Sequence, residues 1–66
     1  MARICEIRYI KKDTETKITS NLDYMVSMEN LLEQVRGIVG FALPLRNLIE
    51  VTDLQNGRAV YKRRGK

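Results

Sequence analysis

The chain has 66 residues, 44% hydrophobic and 30% charged, with a formal net charge of +4 at pH 7. A chain this short forms one small domain and buries only about 60% of the surface that its unfolded form exposes, so association with a partner would help to stabilise it. Residues 1–61 carry equal numbers of cations and anions, and the excess positive charge therefore lies in residues 62–66. We predict a single domain over residues 1–61 followed by a basic tail over residues 62–66.

The composition excludes several classes of function. The chain has no His, and its single Cys5 has no neighbouring base, so neither a nucleophile–base pair nor a set of zinc ligands is available. Gly37 and Gly40 fall at the end of a predicted helix, whereas a phosphate-binding loop needs glycines before one. We therefore expect no enzymatic activity, no metal and no cofactor. The lone cysteine and the lack of a long apolar stretch lead us to expect a cytoplasmic protein with no membrane contact.

The first predicted strand covers residues 3–11. Its residues Cys5, Ile7 and Tyr9 alternate with charged ones, as in a strand with one buried face. Ile4 and Ile10 break this pattern by falling on the charged face, so they mark either a second contact surface or the strand ends.

The second predicted strand starts at Thr16, after a polar turn over residues 12–15. Its apolar residues occupy even positions, namely Ile18, Leu22, Tyr24 and Val26. Asn21 and Asp23 disfavour strands, which argues for an early end.

A helix is predicted from Ser27 to about Val39. The Ser27 hydroxyl can cap free N–H groups of the first turn, and Gly40 can end the helix in the left-handed conformation. An apolar stripe recurs at spacings of three and four in Met28, Leu31, Leu32, Val35, Ile38 and Val39. Ser20 is an alternative start, because a stripe extended through Leu22 and Met25 would continue the pattern.

The C-terminal part predicts a second hairpin. Residues 41–47 form an apolar connector around Pro44 that should pack under the sheet, and residues 48–52 read as a strand. Asn56-Gly57 is a strong hairpin signal, because both residues tolerate positive φ. Two registers remain open. A loop over residues 54–57 would pair Asp53 with Arg58 and Val51 with Val60, whereas a two-residue loop would pair Thr52 with Tyr61.

These elements give the order β-β-α-β-β. The simplest arrangement is a two-layer α+β domain, with one helix packed on one face of a four-stranded antiparallel sheet.

The basic tail favours nucleic acid as the ligand. Clustered cations neutralise phosphates and release counterions, giving salt-dependent binding with little preference for sequence or for DNA over RNA. The predicted contact residues form a C-terminal group, Arg58, Tyr61, Lys62, Arg63, Arg64 and Lys66, and an N-terminal group, Arg8, Lys11 and Lys12.

The alternative is a protein-interaction module: a homodimer, an adaptor or a small inhibitor of a larger partner. Apolar residues outside the predicted core face exceed what so small a chain can cover, and include Ile4, Ile10, Phe41, Leu43, Leu45 and Leu54. An exposed sheet edge could also pair with a partner's strand, and the tail would attract an acidic partner.

Overall fold

A computed structural model describes residues 2–63 and shows an α+β domain. Its elements are β1 (Arg3–Lys11), β2 (Thr14–Leu22), α1 (Met28–Val39), a 3₁₀ turn (Leu45–Asn47), β3 (Leu48–Asp53) and β4 (Arg58–Lys62). The strands form one antiparallel sheet in the order β2-β1-β3-β4. The predicted combination of one helix with a four-stranded antiparallel sheet is therefore confirmed. No helix within residues 2–63 is long and apolar enough to cross a membrane.

The first hairpin closes through a two-residue turn. Lys12 and Asp13 have φ values of 51° and 63°, the left-handed geometry of a turn whose twist matches that of the strands. The turn lies within the predicted segment but is shorter, so β2 starts at Thr14. β2 ends at Leu22, in agreement with the early end predicted from Asn21 and Asp23.

Local capping groups fix both ends of α1. The Ser27 hydroxyl accepts a hydrogen bond of 3.2 Å from the backbone N–H of Asn30, so Ser27 is the N-cap. Gly40 has a φ of 86° and donates its N–H to the carbonyl of Arg36 at 2.9 Å. The alternative start at Ser20 is wrong, because that residue lies in β2.

The core lies between α1 and one face of the sheet. Its buried hydrophobic residues are Cys5, Ile7, Tyr9, Leu22, Leu31, Leu43, Val35, Leu48 and Val51. Of the predicted apolar stripe, α1 buries Leu31 and Val35, and Leu32, Ile38 and Val39 pack against the core partly buried. Met28 is 40% exposed, so its predicted place in the stripe is wrong. In the connector Leu43 is fully buried, which agrees with packing under the sheet, and its inclusion among the apolar residues outside the core is wrong. Leu45 is exposed. The opposite face of the sheet carries Glu6 and Arg8 of β1, and no helix within residues 2–63 packs on it.

The second hairpin has the longer of the two predicted loops, and Asp53 pairs with Arg58. Beyond this pair a β-bulge shifts the register, so that Val51 pairs with Tyr61 instead of Val60. The predicted pairing of Val51 with Val60 is therefore wrong. The extra residue in β4 brings Lys62 opposite Glu50.

Candidate nucleic-acid interface

One end of the sheet gathers cations from separate segments of the chain. The antiparallel order places the last residues of β1 and β4 beside the first residues of β2 and β3. Five residues carry the charge here, and we term them the basic end: Lys11, Lys12, Arg46, Lys62 and Arg63. Four of these were predicted as contact residues, and the fold adds Arg46.

Hydrogen bonds hold the segments of the basic end together. The backbone N–H of Arg63 donates to the carbonyl of Ile49 at 2.9 Å, and the Arg63 guanidinium donates to the carbonyl of Arg46 at 2.5 Å. The Asn47 side-chain amide donates to the carbonyl of Ile10 at 3.2 Å, which ties the 3₁₀ turn to the end of β1. These hydrogen bonds hold the segments that carry the cations in fixed positions relative to one another.

Lys11 rests on an aromatic ring. Its ammonium nitrogen lies 5.2 Å from the centroid of the Phe41 ring, within the range of a cation–π contact. The Phe41 ring in turn packs on Tyr9 with a centroid distance of 6.2 Å. A ring positions the lysine without neutralising it, so the charge stays available to a ligand.

Arg8 pairs with two of the carboxylates near this end. Its guanidinium donates to Glu15 through Nε at 3.0 Å and through Nη2, and to Glu50 through Nη1 at 3.0 Å. The hydrogen bond to Glu15 is the first cause of the raised pKa of Arg8, and the contact with Glu50 adds to it. In residues 2–63 the side chains of the basic end form no ion pair with a carboxylate. One guanidinium balances only one of these two carboxylates, and Asp13 lies beside Lys12 in the turn. The five cations still exceed this remaining negative charge, so the basic end keeps a net positive charge.

The remaining predicted contact residues lie elsewhere. Arg58 is exposed at the start of β4, at the other end of that strand. Tyr61 is half-buried and packs against the core, which reduces the ring surface that it offers to a ligand. Arg64 and Lys66 lie outside the described residues. Sequence reasoning missed Arg46, because a connector residue gives no signal of its position beside Arg63.

The far end of the sheet contains a buried carboxylate, Asp53. It is fully buried, and one of its oxygens accepts hydrogen bonds from Arg3 Nε at 2.7 Å and from the Tyr24 hydroxyl at 2.5 Å. Its other oxygen accepts from the backbone N–H of Gln55 at 2.9 Å. The bond from Tyr24, followed by those from Arg3 and Gln55, outweighs burial and lowers the pKa of Asp53 from 3.8 to about 2. Asp53 is therefore ionised at neutral pH and joins three segments of the chain.

An open groove of about 660 Å³ lies beside this network. The residues that line it come from three parts of the chain, namely Arg3, Tyr24, Met25, Arg58, Ala59 and Val60. The groove thus borders both the β2–α1 loop and the edge strand β4. It contains no acidic residue, and sequence reasoning did not find it.

Within the described part of the chain, no three side chains of the types that bind metals lie close together. Burial raises the pKa of the Cys5 thiol, which opposes formation of the reactive thiolate.

Comparison with known proteins gives no matching family model, no similar curated protein and no similar solved structure.

Proposed function

We propose that this protein binds nucleic acid through the phosphate backbone, with the basic end as the contact surface and without preference for a base sequence. The observation that carries the proposal is the convergence of cations from several segments on one end of the sheet, where Arg8 already occupies the nearby Glu15 and Glu50. Such a cluster attracts a polyanion by releasing its counterions. In the sequence, Arg64 and Lys66 follow Arg63 and add two further cations.

The dependence of binding on salt tests this proposal. Lys12→Gln and Lys62→Gln should each lower the slope of log Kd against log salt concentration by about 0.7 to 0.9, because each removes one phosphate contact. The slope is measured by fluorescence anisotropy with labelled single-stranded and duplex DNA and RNA at several salt concentrations. Both lysines are exposed, so the substitutions should leave the fold intact.

Lys17→Gln is the matched control. Lys17 is an exposed lysine on β2, in the same cross-strand row as Lys62 but at the opposite edge of the sheet, so this variant loses the same charge at the other edge. We expect its slope to equal that of the wild type. If the slope fell equally in all three variants, binding would depend on net charge alone and not on the basic end. If the protein bound no nucleic acid at low salt, the proposed function would be wrong.

Homodimerisation is a second candidate, and an exposed apolar patch favours it. Ile4 and Leu54 are 49% and 47% exposed, and the backbone N–H of Leu54 donates to the carbonyl of Ile4 at 3.0 Å, so the two residues are neighbours. If this patch is a dimer interface, light scattering should give the mass of two chains at micromolar concentration, and Leu54→Ser should give the mass of one. A wild-type monomer across the dilution series would remove this candidate.

A further inference from the structure

The groove beside Tyr24 provides the types of surface that bind a single flat ring. The Tyr24 ring is half-buried against the core and its hydroxyl is held by Asp53, so the part of the ring that borders the groove is fixed in position before any ligand arrives. Met25 is 76% exposed and presents a polarisable thioether that adapts to the shape of a ligand. The volume of the groove lies within the usual range of small-molecule sites.

Two guanidinium groups supply the polar side of the groove. Arg3 donates to Asp53 through Nε, and within residues 2–63 its two terminal nitrogens make no hydrogen bond. Arg58 is exposed, and no carboxylate of the described chain pairs with it. Guanidinium planes stack on nucleobases and donate hydrogen bonds to their edges. An aromatic ring, a thioether and two guanidiniums together match the chemistry of a nucleobase.

β4 connects the groove with the basic end. Arg58 borders the groove and Lys62 belongs to the basic end, and the two lie at opposite ends of this edge strand. Four residue steps along a strand span about 13 Å. A nucleic acid strand that runs along β4 can therefore place phosphates on the basic end and an unstacked base in the groove.

We infer that the ligand of the basic end is single-stranded nucleic acid, one base of which enters the groove between Tyr24, Met25 and Arg58. This inference rests on the proposed function and adds the class of substrate to it. A duplex keeps its bases paired and stacked, so it can offer phosphates to the basic end and no base to the groove. A single strand exposes base faces to aromatic and guanidinium groups.

A comparison of normal and abasic strands tests the inference. The probes are fluorescein-labelled DNA single strands of about 12 nucleotides, one of mixed sequence and one abasic, together with the duplex form of the first. At equal salt the normal strand should bind at least about fivefold more tightly than the abasic strand, because stacking of a base adds to the phosphate contacts. Met25→Ala should reduce this preference, and Arg58→Gln should reduce it further.

Two matched variants separate the groove from general effects. Met28→Ala makes the same change at an exposed methionine outside the groove, and Lys17→Gln removes an exposed charge on the other edge strand. Both should keep the wild-type preference for the normal strand. Equal binding of normal and abasic strands, or equal behaviour of Met25→Ala and Met28→Ala, overturns the inference and leaves phosphate binding at the basic end in place.

If the proposed function itself is wrong, the same titrations give a different result. If no strand and no duplex binds at low salt, both the proposed function and this inference are wrong. Binding of a labelled polyglutamate peptide that Arg58→Gln weakens would then assign the groove to an acidic protein segment.

Discussion

Val35→Asp should unfold the domain. Val35 is fully buried in the centre of the apolar stripe of α1, and the buried residues among 2–63 include no cation that could pair with a carboxylate there. Burying an unpaired charge costs several kcal/mol, and a chain of this length has roughly 3 to 10 kcal/mol of stability in total. We therefore expect the far-UV circular dichroism spectrum of an unfolded chain at 25 °C.

Gly37→Asp is the control for this variant. It adds the same carboxylate two positions further along α1, where the residue is exposed and an added side chain meets no atom within 4 Å. We expect its free energy of unfolding to stay within about 0.5 kcal/mol of the wild-type value. If Val35→Asp kept a cooperative transition near that of Gly37→Asp, Val35 would not face the core.

The elements that the sequence predicts well are those decided by neighbouring residues. Ser27 and Gly40 bound the helix because a hydroxyl and a left-handed glycine satisfy backbone groups a few residues away. Asn56-Gly57 likewise predicts a turn before Arg58, where Gly57 has a φ of 73°, but it left the length of the loop open. These signals act within one turn of the chain, and no tertiary contact is needed to read them.

The bulge in β4 could not be predicted in this way. Two registers satisfy the alternation of β4 nearly equally well, and the choice depends on which of Val60 and Tyr61 packs opposite Val51. The shape of the core decides which residue packs there. That shape depends on residues distant in the sequence, so the residues of β4 alone do not reveal it.

The candidate sites were partly predictable. Basic residues near the C-terminus and the first turn can be counted in the sequence, but their meeting at one end depends on the strand order. The Asp53 network was missed because Arg3 lies 50 positions and Tyr24 29 positions away from it. An aspartate before a predicted turn is also readily explained as a turn residue, and Asp53 does bond the N–H of Gln55 in that role.

Asp53→Ala should cause the second large loss of stability. The substitution removes the acceptor of Arg3 Nε, of the Tyr24 hydroxyl and of the Gln55 N–H at one time. Three hydrogen bonds to a charged acceptor are lost at once, and we expect the melting temperature to fall by roughly 10 °C or more. Differential scanning calorimetry at pH 7 measures the change.

Glu15→Ala is the matched control, because it also removes a carboxylate that accepts from an arginine. The Glu15 side chain is 53% exposed, and exposed ion pairs contribute little to stability. We expect the melting temperature of this variant to fall by no more than a few degrees. If the melting temperature fell equally in the two variants, burial of the Asp53 carboxylate would not increase the contribution of its hydrogen bonds to stability.

Acid should reduce the difference between the wild type and Asp53→Ala. In the folded protein Asp53 has a pKa of about 2, compared with an ordinary value of 3.8, so on acidification the unfolded chain takes up this proton first. The stability that Asp53 contributes is therefore complete above pH 3.8 and is lost as the pH falls through about 2. The gap between the two melting temperatures should stay constant from pH 7 to about pH 5 and then narrow toward pH 2. A gap that stays constant down to pH 2 would show that the ionised carboxylate is not what Arg3 and Tyr24 stabilise.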